Sequence, residues 1–525
     1  MRLGLGLVLA LAAMAAPAMA ADGPVVTVET GKLQGVAATG ASPVQIFRGV
    51  PYAKPPVGDL RWREPRAADH WEGVRAADQF GPRCMQRHMW DDMFFRSPSA
   101  SEDCLYLNVW TPANLAKASS AKLPVLVYIY GGGFVAGTSD EPRYDGAAMA
   151  ARGIVVVTVN YRLGIFGFFA HPQLTGESSH NASGNYGLLD QAAALAWVRR
   201  NIAAFGGDPK HITIGGESAG SMSVSGMMVS PLTRNLIAGA IGESGSALQP
   251  LHLLTLAEAE KKGLDFAESI QTPTLAQLRA IPAEKLLSVQ DFGGASWRPD
   301  IDGYYLTETP EQTYAAGKAA KVPSLIGSNS QEGGASAILG DVPATVEAYK
   351  AGLQKRYGAH ADRLFQLFPA ASDADVLPAA TYLASDDFIA AGTWNWFDHQ
   401  RRTGWPTYYY YYTHVRPQPT GYKATGPAAY GALHSSEIEY ALGNLDANPV
   451  YAWTDADRKV SATMSAYWAN FIKTGNPNGG DLPLWPQASG DASQIQRQVI
   501  DVDTHRAAFP EQARYPEVVE ILTKH

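Results

Sequence analysis

The chain has 525 residues, 46% of them hydrophobic and 18% charged, with a formal net charge of −8. This is globular composition with enough apolar content for a large core, and length alone suggests about three domains. There is no long run of Lys or Arg, which excludes a basic face for phosphates and, with it, nucleic acid as a partner.

The chain opens MRLGLGLVLALAAMAAPAMA. Arg2 supplies a positive start, residues 3–16 an apolar stretch, and Ala18-Met19-Ala20 a small-residue cleavage pattern. Residues 1–20 are therefore expected to be a signal peptide cut after Ala20. The alternative, a membrane anchor, is disfavoured because the run is Ala-rich and short for a span. No comparable run follows, so the mature chain is expected to have no membrane span and to be exported, to the periplasm or the medium.

Two cysteines follow, Cys84 and Cys104. In an oxidising compartment the simplest reading is a disulfide closing a loop of about 20 residues, worth roughly 3 kcal/mol in the chain-entropy model. A reactive thiol or two free thiols are the alternatives. No histidines stand near them at ligand spacing, so no zinc site is expected.

Residues 125–130 and 154–159 are unbroken apolar runs, as expected for strands buried on both faces. The first ends in Gly131-Gly132-Gly133, followed by the bulky Phe134. Three glycines forfeit packing and backbone entropy, so something must need bare backbone there. Residues 185–204 place Leu188, Ala192, Leu195, Val198 and Ile202 on one helical face, and Gly206-Gly207-Asp208-Pro209 ends that helix. Residues 212–214, 237–241 and 322–326 read as further strands, and 407–413 (TYYYYYT) as a strand with aromatics on both faces. Residues 250–300 and 340–400 are helix-rich and are expected to form a cap or outer layer. The alternation argues an α/β fold with a large, mostly parallel sheet and helices on both faces. There is no internal repeat and no low-complexity linker.

Gly216-Glu217-Ser218-Ala219-Gly220 fits G-x-S-x-G between a strand and a helix, which makes Ser218 a candidate nucleophile lifted above the sheet on a sharp turn. Such a serine needs a base, and in α/β-hydrolases the order is serine, acid, histidine. Glu332 lies in a polar loop just after the strand at 322, on the rim where Ser218 would sit, and Asp302 is the runner-up. His434 lies in an irregular loop before a helical run and is the candidate base. His434-x-x-Glu437 also suggests a metal pair, but no third ligand is evident, and no metal is expected. The triple glycine now has a use. Attack on a carbonyl creates an oxyanion, and bare glycines let N–H groups approach it beside the N–H of Ala219. Losing one such donor typically costs about 10²–10³ in rate. Gly131-x-Gly133-x-x-Ala136 formally matches a dinucleotide fingerprint as well, but the next strand ends in Asn160, where that fold wants an acid.

At these residues the chain closely resembles the type-B carboxylesterase/cholinesterase family of α/β-hydrolases, from about Val25 to the last strand region. FRGVPYAKPPVGDLRW (47–62), EDCLYLNVWTP (102–112) and FGGDPKHITIGGESAG (205–220) carry the likeness. The resemblance implies a triad of Ser218, Glu332 and His434, with oxyanion donors at Gly132, Gly133 and Ala219. It implies a Cys84–Cys104 disulfide, no cofactor, and one large domain, 21–525, rather than three. Glu217 and Ser244 resemble positions beside the triad. Ser435 departs from the glycine common after the histidine, which bears on the loop beside the base. Trp90 lies in the loop between the cysteines, where cholinesterases bind choline, but at an unusual distance from Cys104, so choline specificity is not expected.

The resulting expectation is an exported serine esterase acting on a small-molecule ester through an acyl-enzyme. An amidase, a lactone-opening enzyme or a detoxifier of a bulky natural ester is the alternative on the same site. An inert adhesion relative is the remaining one, set against it by the presence of all three triad residues.

Overall fold

The apolar runs at 125–130 and 154–159 become two inner strands of an eleven-stranded sheet. The computed structural model describes residues 23–38, 44–112, 120, 122–291, 297–421, 430–488 and 490–524, and the expected leader at 1–20 lies outside them. In chain order the strands are β1 (Val36–Ala37), β2 (Val44–Pro51), β3 (Tyr106–Pro112), β4 (Leu123–Ile129), β5 (Val155–Val159), β6 (Gly207–Glu217), β7 (Gly239–Glu243), β8 (Ser324–Asn329), β9 (Thr407–Tyr412), β10 (Gln496–Ile500) and β11 (His505–Ala508). Across the sheet they run β11-β10-β9-β8-β7-β6-β4-β5-β3-β2-β1. Strands β10 across to β5 are parallel, and antiparallel pairs close both ends.

This order places the site. The chain leaves β4 toward β5 on one side, then returns past β4 to lay down β6 on the other. The loops after β4 and β6 therefore diverge, and a crevice opens between them at the carboxyl ends of the strands, where open α/β sheets bind ligands.

The aromatic strand β9 follows the period of two. Tyr408 and Tyr410 pack on Phe471, Trp485 and Trp468 of one layer, while Tyr409 packs on Phe397 and Phe509 of the other. The helix expected at 185–204 runs as α1 (Tyr186–Asn201) with a 3₁₀ turn after it. It is not buried along one face only. Leu188, Leu189, Asp190 and Gln191 are all buried, because the helix packs against the short helix Gly164–Phe168 as well as against the sheet. There Asp190 binds Arg162 through both oxygens at 2.7 Å, which lets a charge lie in the interior. The strand expected at 237–241 begins and ends two residues later, as β7. Polar Glu243 extends it, because hydrogen bonding to β6 and β8 outweighs side-chain polarity.

Residues 250–300 supply the helices Leu256–Ser269, Leu275–Ala280 and Ala283–Val289, and residues 340–400 supply Val346–Tyr357, Ala361–Leu367, Asp373–Ser385 and Ala391–Arg401. Cys84 and Cys104 are joined by a disulfide. No helix among the described residues is long and apolar enough to cross a membrane.

Candidate active site

Strand β6 ends at Glu217, helix α2 (Ala219–Val229) begins at Ala219, and Ser218 between them has φ 57 and ψ −123. That region costs a side-chain-bearing residue about 1–3 kcal/mol. The turn is held by a 2.8 Å bond from the Ser218 N–H to the Glu243 carbonyl. It also packs against the end of β4, where a Cβ on Gly220 would lie 2.1 Å from the Ile129 carbonyl oxygen. The glycine of the motif is thus a steric necessity, and the result is a serine hydroxyl raised into the crevice.

Glu332 lies just beyond β8 and is buried. Its Oε1 accepts the N–H of Asn329 at 2.6 Å and the hydroxyl of Ser244 at 2.5 Å. These two donors leave Oε2 free to accept Nδ1–H of His434 at 2.6 Å. With that proton on Nδ1, Nε2 accepts from the Ser218 hydroxyl at 2.9 Å. The loop carrying His434 is pinned to the loop carrying Glu332. Gln331 donates its N–H to the Ala432 carbonyl, Gly431 and Ala432 donate to the Gln331 and Ser330 side chains, and Asn329 Nδ2 donates to the Leu433 carbonyl, all at 2.8 Å. Ser435, the departure noted above, adopts φ 64. The backbone turns left-handed there, which accounts for a glycine preference at that position.

The three expected residues therefore meet, although 216 positions separate Ser218 from His434. The runner-up acid does not join them. Asp302 Oδ1 instead accepts the N–H groups of Tyr304, Tyr305 and Leu306 and closes a turn beside a different cavity. Asn160 is likewise consumed by structure, accepting from Ser139 N–H at 3.0 Å and donating to the Pro82 carbonyl. Glu437 turns away from any pairing with His434 and accepts from Asn329 Nδ2 at 2.6 Å.

The glycine turn after β4 lies against the serine. A Cβ on Gly131 would meet the Glu217 carbonyl oxygen at 2.5 Å and the Ser218 Cβ at 2.9 Å. Gly132 and Gly133 take φ of 103 and 61. The N–H groups of Gly132, Gly133 and Ala219 donate to no protein acceptor among the described residues, and all three residues line the cavity that holds Ser218 and His434. That cavity has a volume of about 660 Å³. Its apolar wall includes Trp90, Met93, Phe134, Met222 and Leu251. Phe388 adds an edge-on contact to the imidazole at 5.0 Å. It sits on a π-helical turn, Asp386–Ala390, which nothing in the sequence marks.

The electrostatics show what motif reading missed. Glu217 Oε1 lies 3.2 Å from His434 Nε2. Burial pulls the imidazole down, but the carboxylates of Glu217 and Glu332 outweigh it and lift it to about 9. Burial pushes Glu217 up to about 7, against the pull of His434. Glu243, contacted by Tyr128 and Trp468 at 3.4 Å, is pushed to about 8 by burial, and Glu437 is raised well above the usual range. These buried carboxyls lie on separate elements, so no local pattern announces their assembly. Among the described residues no group of three or more acidic, histidine or cysteine side chains is arranged to hold a metal.

The model of the carboxylesterase family matches residues 22–516. The chain is 36% identical to a fumonisin B1 esterase from Sphingopyxis macrogoltabida over 483 residues, covering 87% of this chain and 83% of that protein. It is 34% identical to a para-nitrobenzyl esterase from Bacillus subtilis (strain 168) over 488 residues, covering 88% and 92%. A solved structure of PNB esterase superposes with a TM-score of 0.79 at 32% identity, covering 94% of this chain and 99% of that one.

Proposed function

The chain belongs to the carboxylesterase family and is a carboxylic ester hydrolase, and on that premise we propose that Ser218, His434 and Glu332 act as its nucleophile, base and orienting acid. His434 takes the Ser218 proton as the hydroxyl attacks the ester carbonyl. The N–H groups of Gly132, Gly133 and Ala219 receive the oxyanion. The imidazolium, stabilised by Glu332, returns its proton to the leaving alcohol, and water then repeats the sequence on the acyl-enzyme. Glu217 and Ser244 support the imidazole and the carboxylate. The observation that carries this reading is the chain of contacts Ser218 Oγ to His434 Nε2 at 2.9 Å and His434 Nδ1 to Glu332 Oε2 at 2.6 Å.

The substrate is a small-molecule carboxylic ester, and no cofactor enters the reaction. Residues 1–20 are read as a cleaved leader and 21–525 as one hydrolase domain, working in the periplasm or outside the cell. The test is hydrolysis of p-nitrophenyl esters of rising acyl length by the wild type and by Ser218→Ala. Loss of about 10⁴-fold or more in kcat is expected. Retained turnover in the variant overturns the assignment, and cleavage of anilides in preference to esters turns the reading toward an amidase.

A further inference from the structure

We propose that Arg298 selects esters carrying a carboxylate remote from the scissile bond, a specificity that rests on the ester-hydrolase reading above. The charged side chains of the catalytic cavity are almost all neutralised locally. Arg143 pairs with Glu141 at 2.9 Å and with Asp92 at 3.5 Å. His434 faces Glu332 and Glu217. Arg298 is exposed and, among the described residues, has no hydrogen-bond acceptor and no carboxylate within salt-bridge distance.

Its backbone is nonetheless built in. Trp297 before it is buried, with Nε1–H donating to the Gln290 carbonyl at 2.9 Å and its ring edge-on to Phe169 and Phe266. Asp300 after it is buried, and the Asn185 side chain bonds both its N–H, at 3.1 Å, and its carbonyl, at 2.7 Å. Pro299 links the two anchors. Arg298 thus stands on an anchored segment, and it lines the catalytic cavity.

Arg298 also lines an adjoining chamber of about 250 Å³, so it stands where the two spaces meet. The acidic residue of that chamber, Asp387, is already bound by Arg356 at 2.6 Å and by the Tyr357 hydroxyl. Near Ser218, Glu217 already faces His434 and Asp92 already faces Arg143, so no unpaired cation is left there to receive a second carboxylate. Much of the remaining lining is apolar, including Met222, Leu251 and Phe388. The substrate that fits is an ester with an apolar spacer and a terminal carboxylate, which an arginine fork accepts through two parallel hydrogen bonds.

The experiment compares kcat/KM for carboxylate-ended and methyl-ended partners of equal length. On the acyl side these are mono-p-nitrophenyl adipate and p-nitrophenyl hexanoate. On the alcohol side they are the butyrate ester of an ω-hydroxyhexanoate and hexyl butyrate. The carboxylate-to-methyl ratio does not depend on how much of a preparation is folded. It is expected to fall roughly 2- to 5-fold in Arg298→Ala for at least one pair, further in Arg298→Glu, and with rising ionic strength in the wild type. An unchanged ratio for both pairs in both variants overturns the proposal. Methyl-ended esters that are still hydrolysed by the wild type and not by Ser218→Ala leave the triad assignment standing in that event.

Discussion

Strands β6 and β7 lie side by side and end in the same tripeptide, Gly216-Glu217-Ser218 and Gly242-Glu243-Ser244, with the glycines and the glutamates in register. Both serines are left-handed, at φ 57 and φ 52. Both glutamates are buried and pushed upward by that burial, to about 7 and about 8. Yet Ser218 faces the imidazole, while Ser244 is fully buried and donates to Glu332. The difference comes from the neighbours. Beside Ser218 lies the bare glycine turn after β4, and a cavity opens over it. Beside Ser244 lies β8, whose following loop folds down and brings the carboxylate with it. One backbone device therefore presents its hydroxyl to the imidazole or to the carboxylate according to which strand stands next to it.

The sharpest way to break this comparison is to remove each hydroxyl. Ser218→Ala is expected to lower kcat by about 10⁴-fold or more, as stated above. Ser244→Ala removes one of the two donors that hold Glu332 Oε1 and leaves Asn329 N–H, so kcat is expected to fall only about 10- to 100-fold, the worth of a hydrogen bond to a charged group. Equal losses in the two variants would erase the distinction between attack and support.

Next in size is Glu217→Gln, read as a pH profile of kcat/KM. His434 must be neutral to accept the serine proton, and the carboxylates of Glu217 and Glu332 hold its proton on. Activity is therefore lost as pH falls through the raised imidazole value. Removing the Glu217 charge lowers that value and moves the acid limb to lower pH. An unmoved limb would mean that Glu217 does not act on the base.

The smallest effect belongs to Glu243→Gln. Burial to about 8 keeps this carboxyl largely protonated at neutral pH, and its Oε2 has no hydrogen-bond partner, so an amide substitutes for it closely. Urea unfolding is expected to change by less than about 1 kcal/mol. A loss of several kcal/mol would show an ionised Glu243, and the two glutamates would then differ in charge state.

The strands, Ser218 and Glu332 were legible because each depends on a local signal, while His434 was singled out among the later histidines through the family resemblance. Unbroken apolar runs mark β4 and β5, a strand–Ser–helix junction marks Ser218, and a polar loop at a strand end marks Glu332. The glycines at 131–133 were legible through what they forgo. The two-residue shift of β7 was not, since Glu243 looks like a strand terminator until its burial is known. Nor were the carboxyl cluster of Glu217, Glu243 and Glu437 or the π-helical turn that carries Phe388. These arise where separate elements stack, and pairings of that kind leave no periodicity in the chain. Asp302 looked plausible because sequence position alone does not show that its Oδ1 is already spent on three N–H groups.

The lacing of the two loops at 329–332 and 431–434 has a mechanical result. Glu332 and His434 are stitched into one clip by repeated cross-links, whereas Ser218, just past the end of a separate strand, meets that clip at the imidazole through a 2.9 Å contact, with its neighbour Glu217 3.2 Å from the same ring nitrogen. The orientation of the imidazole is therefore set by the paired loops themselves and not by the hydroxyl it faces.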